Sequence, residues 1–313
     1  MQQFGWESTS DEVLAGKNLS GQTYLITGVS AGLGVETTRA LAARGAHIIG
    51  TARDLAKART ALAGYQECDN RVTLVPLDLA DLSSVRQAAG QIVELAYPLQ
   101  AIIANAGVMA PPFGRTVDGF ESQFGTNHLG HFLLINLLVD LVASGGRVIS
   151  LSSVGHQFGD IDLSDPNFEH TQYDPIIAYG ASKTANALFA VEFDRLHRRQ
   201  GIRVAAVHPG GILTELARHM SAELIDRMIA VGRAEADPDA PRRGYKTPAQ
   251  GAATSLWAAV TADADEIGGH YCEDCQVAPV ARKGGVRPYA VDPERAQQLW
   301  TLSESLVGET FLK

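Results

Sequence analysis

The sequence predicts a single α/β domain whose doubly wound, mostly parallel β-sheet carries helices on both faces. Short apolar runs of β-type residues alternate with amphipathic helical segments from residue 23 to residue 208. The apolar runs contain few polar residues, as expected for parallel strands that are buried on both faces. No repeat with a period of about 20 to 50 residues is present, which argues against a solenoid.

The predicted elements follow one another in alternation. We predict strands at 23–27, 47–51, 72–77, 100–104, 147–152 and 202–208. We predict helices from a glycine-rich loop to about residue 44 and at 55–64, 82–96, 120–143 and 179–200. Residues 155–175 and 233–248 interrupt the alternation, so we expect active-site loops near 155–175 and 214–248. Residues 1–20 are expected to form a lead segment ahead of one domain at 21–313.

Composition and charge argue against several classes of protein. The residues are 45% hydrophobic and 19% charged, which is ordinary for a globular domain. A formal net charge of −9 argues against a broad surface for nucleic acid or an anionic membrane. Residues 1–18 lack the pattern of a secretory signal, and the longest apolar stretch, 132–142, is too short and polar to span a bilayer. We therefore expect a cytoplasmic protein with neither a nucleic acid nor a membrane as partner.

The cysteines and two histidines are candidates for metal binding. Cys68, Cys272 and Cys275 are too few for a disulfide framework. Cys272 and Cys275 form a CxxC pair, but a structural zinc site needs four ligands and no second pair accompanies them. His128 and His131 also lack a third ligand. We expect half-buried cysteines, packing or helix-surface roles for the two histidines, and no bound metal. A metal or redox function of the CxxC pair is the alternative.

A glycine-rich loop with the spacing GxxxGxG lies between the first predicted strand and the first predicted helix. At the carboxyl end of a parallel strand, small residues let backbone amides approach a pyrophosphate, which the N-terminus of the next helix attracts. We therefore expect a cofactor to be bound by Thr27, Gly28, Ser30, Gly32, Leu33 and Gly34. The alternative is a tight strand-to-helix turn that binds no ligand.

Tyr179 and Lys183 are four residues apart at the start of the predicted helix 179–200, so their side chains share one face. A phenol has a pKa near 10, which is too high for a base at neutral pH. A nearby ammonium favours the phenolate, and we therefore expect a lowered pKa for Tyr179. The YxxxK pair alone is a weak signal, because such pairs often lie on a helix surface.

With the glycine loop and the YxxxK pair, the sequence resembles the short-chain dehydrogenase/reductase family over roughly residues 19–308. The resemblance implies a Rossmann-type fold that binds a nicotinamide cofactor. It also implies that Tyr179 and Lys183 contact the cofactor together with residues that follow the third, fourth and sixth predicted strands: Asp78, Leu79, Asn105, Ala106, Gly107, Pro209, Gly210 and Thr214. Ala104 replaces the first asparagine of the family's Asn-Asn-Ala-Gly motif, so the hydrogen bond of that side chain is absent.

The resemblance further implies four catalytic residues, Ser153, Tyr179, Lys183 and Asn127. Tyr179 would exchange a proton with the substrate oxygen, and Ser153 would stabilise the charge that develops there. Lys183 would hold the nicotinamide ribose and, together with the cationic nicotinamide ring, lower the tyrosine pKa. Asn127 would position a water that relays protons. His156 lies just after Ser153; a contact with the substrate is an alternative that we do not favour.

Three features resemble the branch that contains the retinol dehydrogenases and the WW-domain-containing oxidoreductase. These are the long gap between Ser153 and Tyr179, the NHLGH motif at 127–131, and the GGHY motif at 268–271. The resemblance implies an oxidoreductase acting on the CH–OH group of a hydrophobic secondary alcohol, or on the corresponding ketone or aldehyde. The alternatives are a carbon–carbon double-bond reductase and a catalytically silent NADP-sensing regulator on the same fold.

The end of the second predicted strand favours NADP(H), with NAD(H) as the second choice. NAD-selective enzymes place an acidic side chain here, but Ala52 occupies that position. Arg53 follows, and a guanidinium binds a phosphate through bidentate, charge-assisted hydrogen bonds. Two alternatives stay open: Asp54 pairs with Arg53 or accepts from the ribose, or Arg53 is exposed at the start of a helix without a ligand.

The predicted helices 120–143 and 179–200 carry broad apolar faces, formed by Phe132, Leu133, Leu137, Leu188, Phe189 and Val191. Because the family commonly pairs these helices across a two-fold axis, the resemblance implies a homodimer or homotetramer. The alternative is that both faces only cover the sheet.

Overall fold

The computed structural model describes residues 4–212, 215–217, 220–235 and 244–311. Its strands are β1 Thr23–Thr27, β2 His47–Ala52, β3 Val72–Pro76, β4 Leu99–Ala104, β5 Val142–Leu151, β6 Arg203–His208, β7 Tyr271–Glu273 and β8 Gln276–Val277. They form one sheet in the order β3-β2-β1-β4-β5-β6-β7-β8. Every neighbouring pair is parallel except β7 and β8. The predicted doubly wound, mostly parallel sheet is therefore confirmed.

Helices alternate with these strands. They are α1 Ser10–Val13, α2 Gly32–Ala42, α3 Leu55–Leu62, α4 Leu82–Leu95, α5 Ser122–Phe124, α6 Gly130–Leu138, α7 Pro175–His197, α8 Ala222–Glu235, α9 Pro248–Leu256, α10 Ala264–Ile267 and α11 Pro293–Val307. A π-helical turn, Gly125–Leu129, joins α5 to α6. Across the described residues, none of these helices combines the length and the apolar composition that a bilayer crossing requires.

Alternate residues of β1 enter two apolar layers, one on each face of the sheet. Leu25 packs in a layer with residues of α4, α6, α7 and α11. Tyr24 and Ile26 pack in a layer with residues of α2, α9 and the lead segment, whose Val13 is buried there. The alternation follows from the two-residue period of a strand. Burial on both faces explains why the strands are nearly continuous apolar runs in the sequence.

The helix that carries Tyr179 begins earlier than predicted, at Pro175. Asp174 is its N-cap, because one carboxylate oxygen accepts hydrogen bonds from the N–H groups of Ile176 and Ile177 at 2.9 and 3.2 Å. Proline suits the first helical position, where an N–H has no partner inside the helix. The prediction that Tyr179 opens the helix was wrong, and Tyr179 is held inside a continuous helix.

Two other predicted segments differ from the structure. The predicted helix 120–143 is divided into α5, the π-helical turn and α6, and β5 already begins at Val142, which pairs with Leu99 of β4. The predicted loop near 214–248 contains α8. Residues 159–174 contain neither α-helix nor strand, as predicted.

Helix α11 covers the apolar faces of α6 and α7. The ring centroid of Trp300 lies 4.9 Å from that of Phe132 and 6.1 Å from that of Phe189. The ring of Phe311 lies 5.7 Å from Phe132, centroid to centroid. The faces from which self-association was predicted are thus covered within the chain, so they no longer support an interface between copies. The oligomeric state itself stays a prediction.

Candidate active site

The carboxyl ends of β1, β4, β5 and β6 open onto a cavity of about 1180 Å³. Pockets for single small molecules usually hold about 300–1,000 Å³, so this cavity has room for a dinucleotide and a substrate. Most of the predicted site residues line it: Gly28, Ser30, Gly32, Leu33, Arg53, Asp78, Leu79, Asn105, Ala106, Gly107, Ser153, Tyr179, Lys183, Pro209 and Gly210. The predicted cofactor contact Thr214 falls outside the described residues.

Two predicted cofactor contacts, Thr27 and Gly34, support the cavity wall from behind and do not line it. The Thr27 hydroxyl accepts a hydrogen bond from the Ala106 N–H at 2.9 Å and lies 2.9 Å from His131 Nε2. A Cβ atom at Gly34 would lie 2.1 Å from the carbonyl oxygen of Gly28. These residues therefore hold the loop close to β4, and their direct contact with a cofactor stays a prediction.

The N-terminus of α2 faces the cavity at Gly32. Its N-cap residue, Ala31, makes no side-chain hydrogen bond to the helix, so the first N–H groups are left for a ligand. Gly28 and Gly32 have φ angles of +77° and +60°, in the left-handed region that favours glycine. Since a helix N-terminus attracts negative charge, this end of the cavity fits the pyrophosphate of a dinucleotide.

Asn127 lies in the π-helical turn, behind the cavity. Its Oδ1 accepts from the Val108 N–H at 2.8 Å, and its Nδ2 donates to Val108 O and Ser182 Oγ, both at 3.0 Å. A Cβ atom at Gly107 would lie 2.9 Å from Asn127 Oδ1 and 3.7 Å from Lys183 Nζ. Asn127 therefore fixes the loop after β4 close to the lysine. Its role in a water relay stays a prediction.

Ser153 and Tyr179 meet at the end of β5. Ser153 Oγ accepts a hydrogen bond from the Gly155 N–H at 3.0 Å, and the serine side chain lowers the pKa of Tyr179. A Cβ atom at Gly155 would lie 2.6 Å from Cε1 of the tyrosine ring. Only glycine therefore leaves room for the ring beside the serine turn. The structure places both residues at the wall of the same cavity.

Burial dominates the pKa of Tyr179 in the structure, and the lowering predicted from the ammonium together with a cationic nicotinamide ring stays a prediction. Only 5% of the tyrosine is exposed, and this burial raises the pKa of its phenol to about 12, against a lowering effect of the Ser153 hydrogen bond. Burial also lowers the pKa of Lys183 to about 8. Lys183 Nζ donates to Leu151 O at 2.9 Å and lies 5.8 Å from the centre of the Tyr179 ring. Burial therefore keeps the proton on Tyr179 at neutral pH.

The histidines near the site are buried in the interior. His156 is fully buried and does not line the cavity, so the alternative of a substrate contact is wrong. His128 Nε2 lies 2.8 Å from Ser303 Oγ, and His131 Nδ1 lies 3.0 Å from Asn127 O. Burial lowers the pKa of His128 to about 3 and that of His131 to about 4. Both rings are therefore neutral at physiological pH.

Cys272 and Cys275 are buried free thiols; Cys272 lies in β7 and Cys275 in the turn between β7 and β8. Burial raises the pKa of each thiol, which makes the reactive thiolate scarce. Within the described ranges, no group of three or more His, Cys, Asp or Glu side chains is arranged to hold a metal ion.

Arg53 is exposed at the cavity wall, just beyond the end of β2. Asp54 is the N-cap of α3, and its Oδ1 accepts a hydrogen bond from the Lys57 N–H at 2.9 Å. Lys57 also lines the cavity and forms an ion pair with Glu215. The structure thus gives Asp54 a local capping role and brings a second cation, which the sequence analysis missed, to this end of the cavity.

The other end of the cavity has an apolar wall that the sequence analysis also missed. It is formed by side chains from separate parts of the chain: Met109, Phe158, Leu216, Met228, Ile229 and Tyr245. Met228 and Ile229 lie on α8, inside the segment predicted as a loop. An amphipathic helical period within 222–235 is the sequence signal that would have revealed this wall.

Comparison with known proteins identifies the family. The family model for short chain dehydrogenases matches residues 22–224. The chain is 39% identical over 302 residues to the short-chain dehydrogenase/reductase prx1 of Penicillium roqueforti, covering 93% of this chain and 86% of that protein. The chain therefore belongs to the short-chain dehydrogenase/reductase family and is an NAD(P)-dependent oxidoreductase.

Two further relatives confirm the predicted resemblance to one branch. Retinol dehydrogenase 13 of Homo sapiens is 37% identical over 302 residues, which are 93% of this chain and 86% of that protein. The WW domain-containing oxidoreductase of Danio rerio is 36% identical over 310 residues, which are 95% of this chain and 71% of that protein.

Solved structures agree with the fold. An uncharacterized protein from Mycobacterium Paratuberculosis has a TM-score of 0.75 and 34% identity, and the match covers 96% of this chain and 98% of that one. A short chain dehydrogenase from Burkholderia cenocepacia, solved in complex with NADP, has a TM-score of 0.64 and 24% identity, covering 82% and 97% of the two chains. The Rossmann-type fold thus agrees with the family.

Proposed function

We propose that the protein transfers a hydride between NADP(H) and a hydrophobic secondary alcohol, ketone or aldehyde, with Tyr179 as general acid and base. The hydroxyl-bearing side chains of Tyr179 and Ser153, which line the same cavity, carry this proposal. Together they offer one proton donor and one hydrogen-bond donor to a single substrate oxygen. The apolar wall at the same end of the cavity supports a hydrophobic substrate.

In the reducing direction, Tyr179 donates its proton to the carbonyl oxygen as negative charge develops there. Its raised pKa keeps the phenol protonated until that transfer. Ser153 donates a hydrogen bond to the same oxygen, and the Lys183 ammonium stabilises the phenolate that remains. The hydride is the chemistry that NADP(H) supplies when bound. The N-terminus of α2 would hold its pyrophosphate and Arg53 its 2′-phosphate.

Turnover with a panel of bulky ketones, followed as NADPH oxidation, tests the proposal. We expect alcohols as products. Analysis of the product from an unsaturated ketone separates reduction of the carbonyl from reduction of the double bond. Tight binding of NADPH without turnover of any carbonyl compound would contradict the proposal and favour a cofactor-sensing regulator.

Replacing Arg53 with alanine is expected to weaken NADPH binding at least tenfold and to leave NADH binding unchanged. Each charge-assisted hydrogen bond from the guanidinium to the 2′-phosphate contributes roughly 1.5–3 kcal/mol, and NADH lacks this phosphate. The ratio of kcat/KM for the two cofactors checks the expectation. Arg59→Ala is the matched control, because Arg59 is exposed on α3 but does not line the cavity. A wild-type preference for NADH that Arg53→Ala leaves unaltered would show that Arg53 does not select the cofactor.

We expect ketone reduction to slow as the pH rises through about 8, the pKa of Lys183. The lysine loses its positive charge in that range, whereas Tyr179, with a pKa of about 12, keeps its proton. An uncharged lysine no longer stabilises the phenolate. Lys183→Arg should abolish this decline, because a guanidinium stays charged. The pH profiles of kcat/KM for both enzymes check this expectation, and the same decline in Lys183→Arg would assign it to another group.

A further inference from the structure

A series of hydrogen bonds joins the end of α8 to the backbone of Ser153. Arg287 Nη2 donates to Glu235 Oε2 at 2.6 Å and to Glu235 O at 3.2 Å. The main-chain N–H of Arg287 donates to His156 Nε2 at 3.1 Å. His156 Nδ1 in turn lies 2.7 Å from Ser153 O. Two residues, Arg287 and His156, thus connect a helix of the cavity wall to the proposed oxyanion partner.

The partners of His156 determine its tautomer. Ser153 O can only accept, so His156 Nδ1 carries the hydrogen. The Arg287 N–H can only donate, so Nε2 is the acceptor. The neutral ring with a hydrogen on Nδ1 satisfies both bonds, and burial favours this neutral form because it lowers the pKa of His156 to about 4. The ring is therefore fixed at both ends.

The connection lies in the interior. Arg287 is 5% exposed, and its Nη2 also donates to Gln157 Oε1 at 3.2 Å. The His156 carbonyl oxygen accepts from the Tyr289 hydroxyl at 2.7 Å and from Thr184 Oγ1 at 3.3 Å. Leaving a buried guanidinium without its partners costs free energy. The contacts of Arg287 with Glu235 therefore hold the end of α8 in place.

A second contact connects α8 to α7, the helix that carries Tyr179. Arg227 on α8 forms an ion pair with Asp174, the N-cap of α7, from which Tyr179 and Lys183 project. In addition, Phe158, in the 3₁₀ turn that follows Ser153, lines the cavity beside Met228 and Ile229 of α8. A substrate that packs between these apolar side chains therefore contacts both α8 and the 3₁₀ turn that follows Ser153.

We propose that His156 and Arg287 are positioning residues that couple the placement of α8 over the substrate to the orientation of Ser153. The proposal rests on the proposed carbonyl reduction. Neither residue touches the cavity. They act through the main chain of Ser153 on one side and through Glu235 on the other.

Substitutions at His156 separate its two bonds. His156→Phe removes both, and we expect kcat to fall roughly tenfold to hundredfold, as small displacements of catalytic groups do. His156→Asn keeps an amide N–H near the Nδ1 position and should retain more activity than His156→Phe. NADPH affinity should stay unchanged in both variants. Equal kcat values for wild type and His156→Phe would overturn the positioning role.

Glu235→Gln tests the contact between Arg287 and the end of α8. Loss of the charged partner of Arg287 should raise KM for the ketone, since α8 forms part of its binding wall. If the two residues are coupled, the fold loss of kcat/KM in the double variant His156→Asn/Glu235→Gln should differ from the product of the two single losses. Independent sites would agree with the product of the single effects within about twofold, and that outcome would overturn the coupling.

Amide hydrogen exchange gives a readout that needs no turnover. We expect Glu235→Gln and His156→Phe to increase exchange both in α8 and at residues 153–158. The matched control is Arg295→Gln, which breaks the ion pair of Arg295 with Asp160 and should change neither segment. If the wild type reduces no carbonyl compound, the proposed function fails, while exchange still decides the coupling. Exchange that changes in only one of the two segments would overturn it.

Discussion

Tyr179→Phe is expected to lower ketone turnover by roughly 10²–10⁴, the usual contribution of general acid–base catalysis. The substitution keeps the ring that packs against Gly155 and removes only the hydroxyl that delivers the proton. NADPH binding should survive, because the α2 N-terminus and the glycine loop are untouched. Single-turnover kinetics and NADPH fluorescence titration together measure the two effects.

Tyr24→Phe is the matched control for this experiment. Tyr24 is buried in β1, and its hydroxyl donates one hydrogen bond to Gln22 Oε1 at 2.6 Å. It lies away from the cavity lining, so its loss should leave turnover unchanged. A Tyr179→Phe enzyme with near-normal turnover would refute the proposed proton transfer.

Trp300→Ala should lower the free energy of unfolding by about 3–5 kcal/mol, the range for deleting a large buried aromatic side chain. Trp300 is 7% exposed, and its ring contacts Phe132 and Phe189 from α11. The deletion leaves a cavity between three helices that cannot fully collapse. Urea unfolding curves of the wild type and the variant give the difference.

Val117→Ala serves as the comparison, because Val117 is 78% exposed. Surface substitutions of this kind usually change the free energy of unfolding by no more than about 0.5 kcal/mol. An unfolding free energy that Trp300→Ala leaves unchanged would mean that α11 does not cover α6 and α7 as described.

The sequence predicted the central part of the fold because that part is specified locally. Strands β1 to β6 are apolar runs bounded by turn residues, and the glycine loop marks the first crossover. The short strands β7 and β8 escaped prediction, since two or three residues carry no measurable period. Their formation depends on pairing, of β7 with β6 and of β8 with β7. The start of α7 was missed although Asp174 and Pro175 form a recognisable cap.

The sequence also predicted part of the candidate site. Ser153, Tyr179 and Lys183 stand in motifs, and the structure brings them to one cavity. The direction of the Tyr179 pKa shift was not predictable from spacing, because burial arises from the packing of distant segments around the ring. The role of His156 depends in the same way on Arg287, which lies far along the chain.

Helix α8 lies between β6 and α9, a part of the chain whose described residues add no strand to the sheet. Evolution can therefore exchange the apolar side chains of this insert, such as Met228 and Ile229, without disturbing the half of the protein that holds the dinucleotide. Libraries of variants that are intended to accept new ketones should vary the residues at these positions. They should leave Arg227 and Glu235 unchanged, because these residues anchor the insert to the rest of the domain.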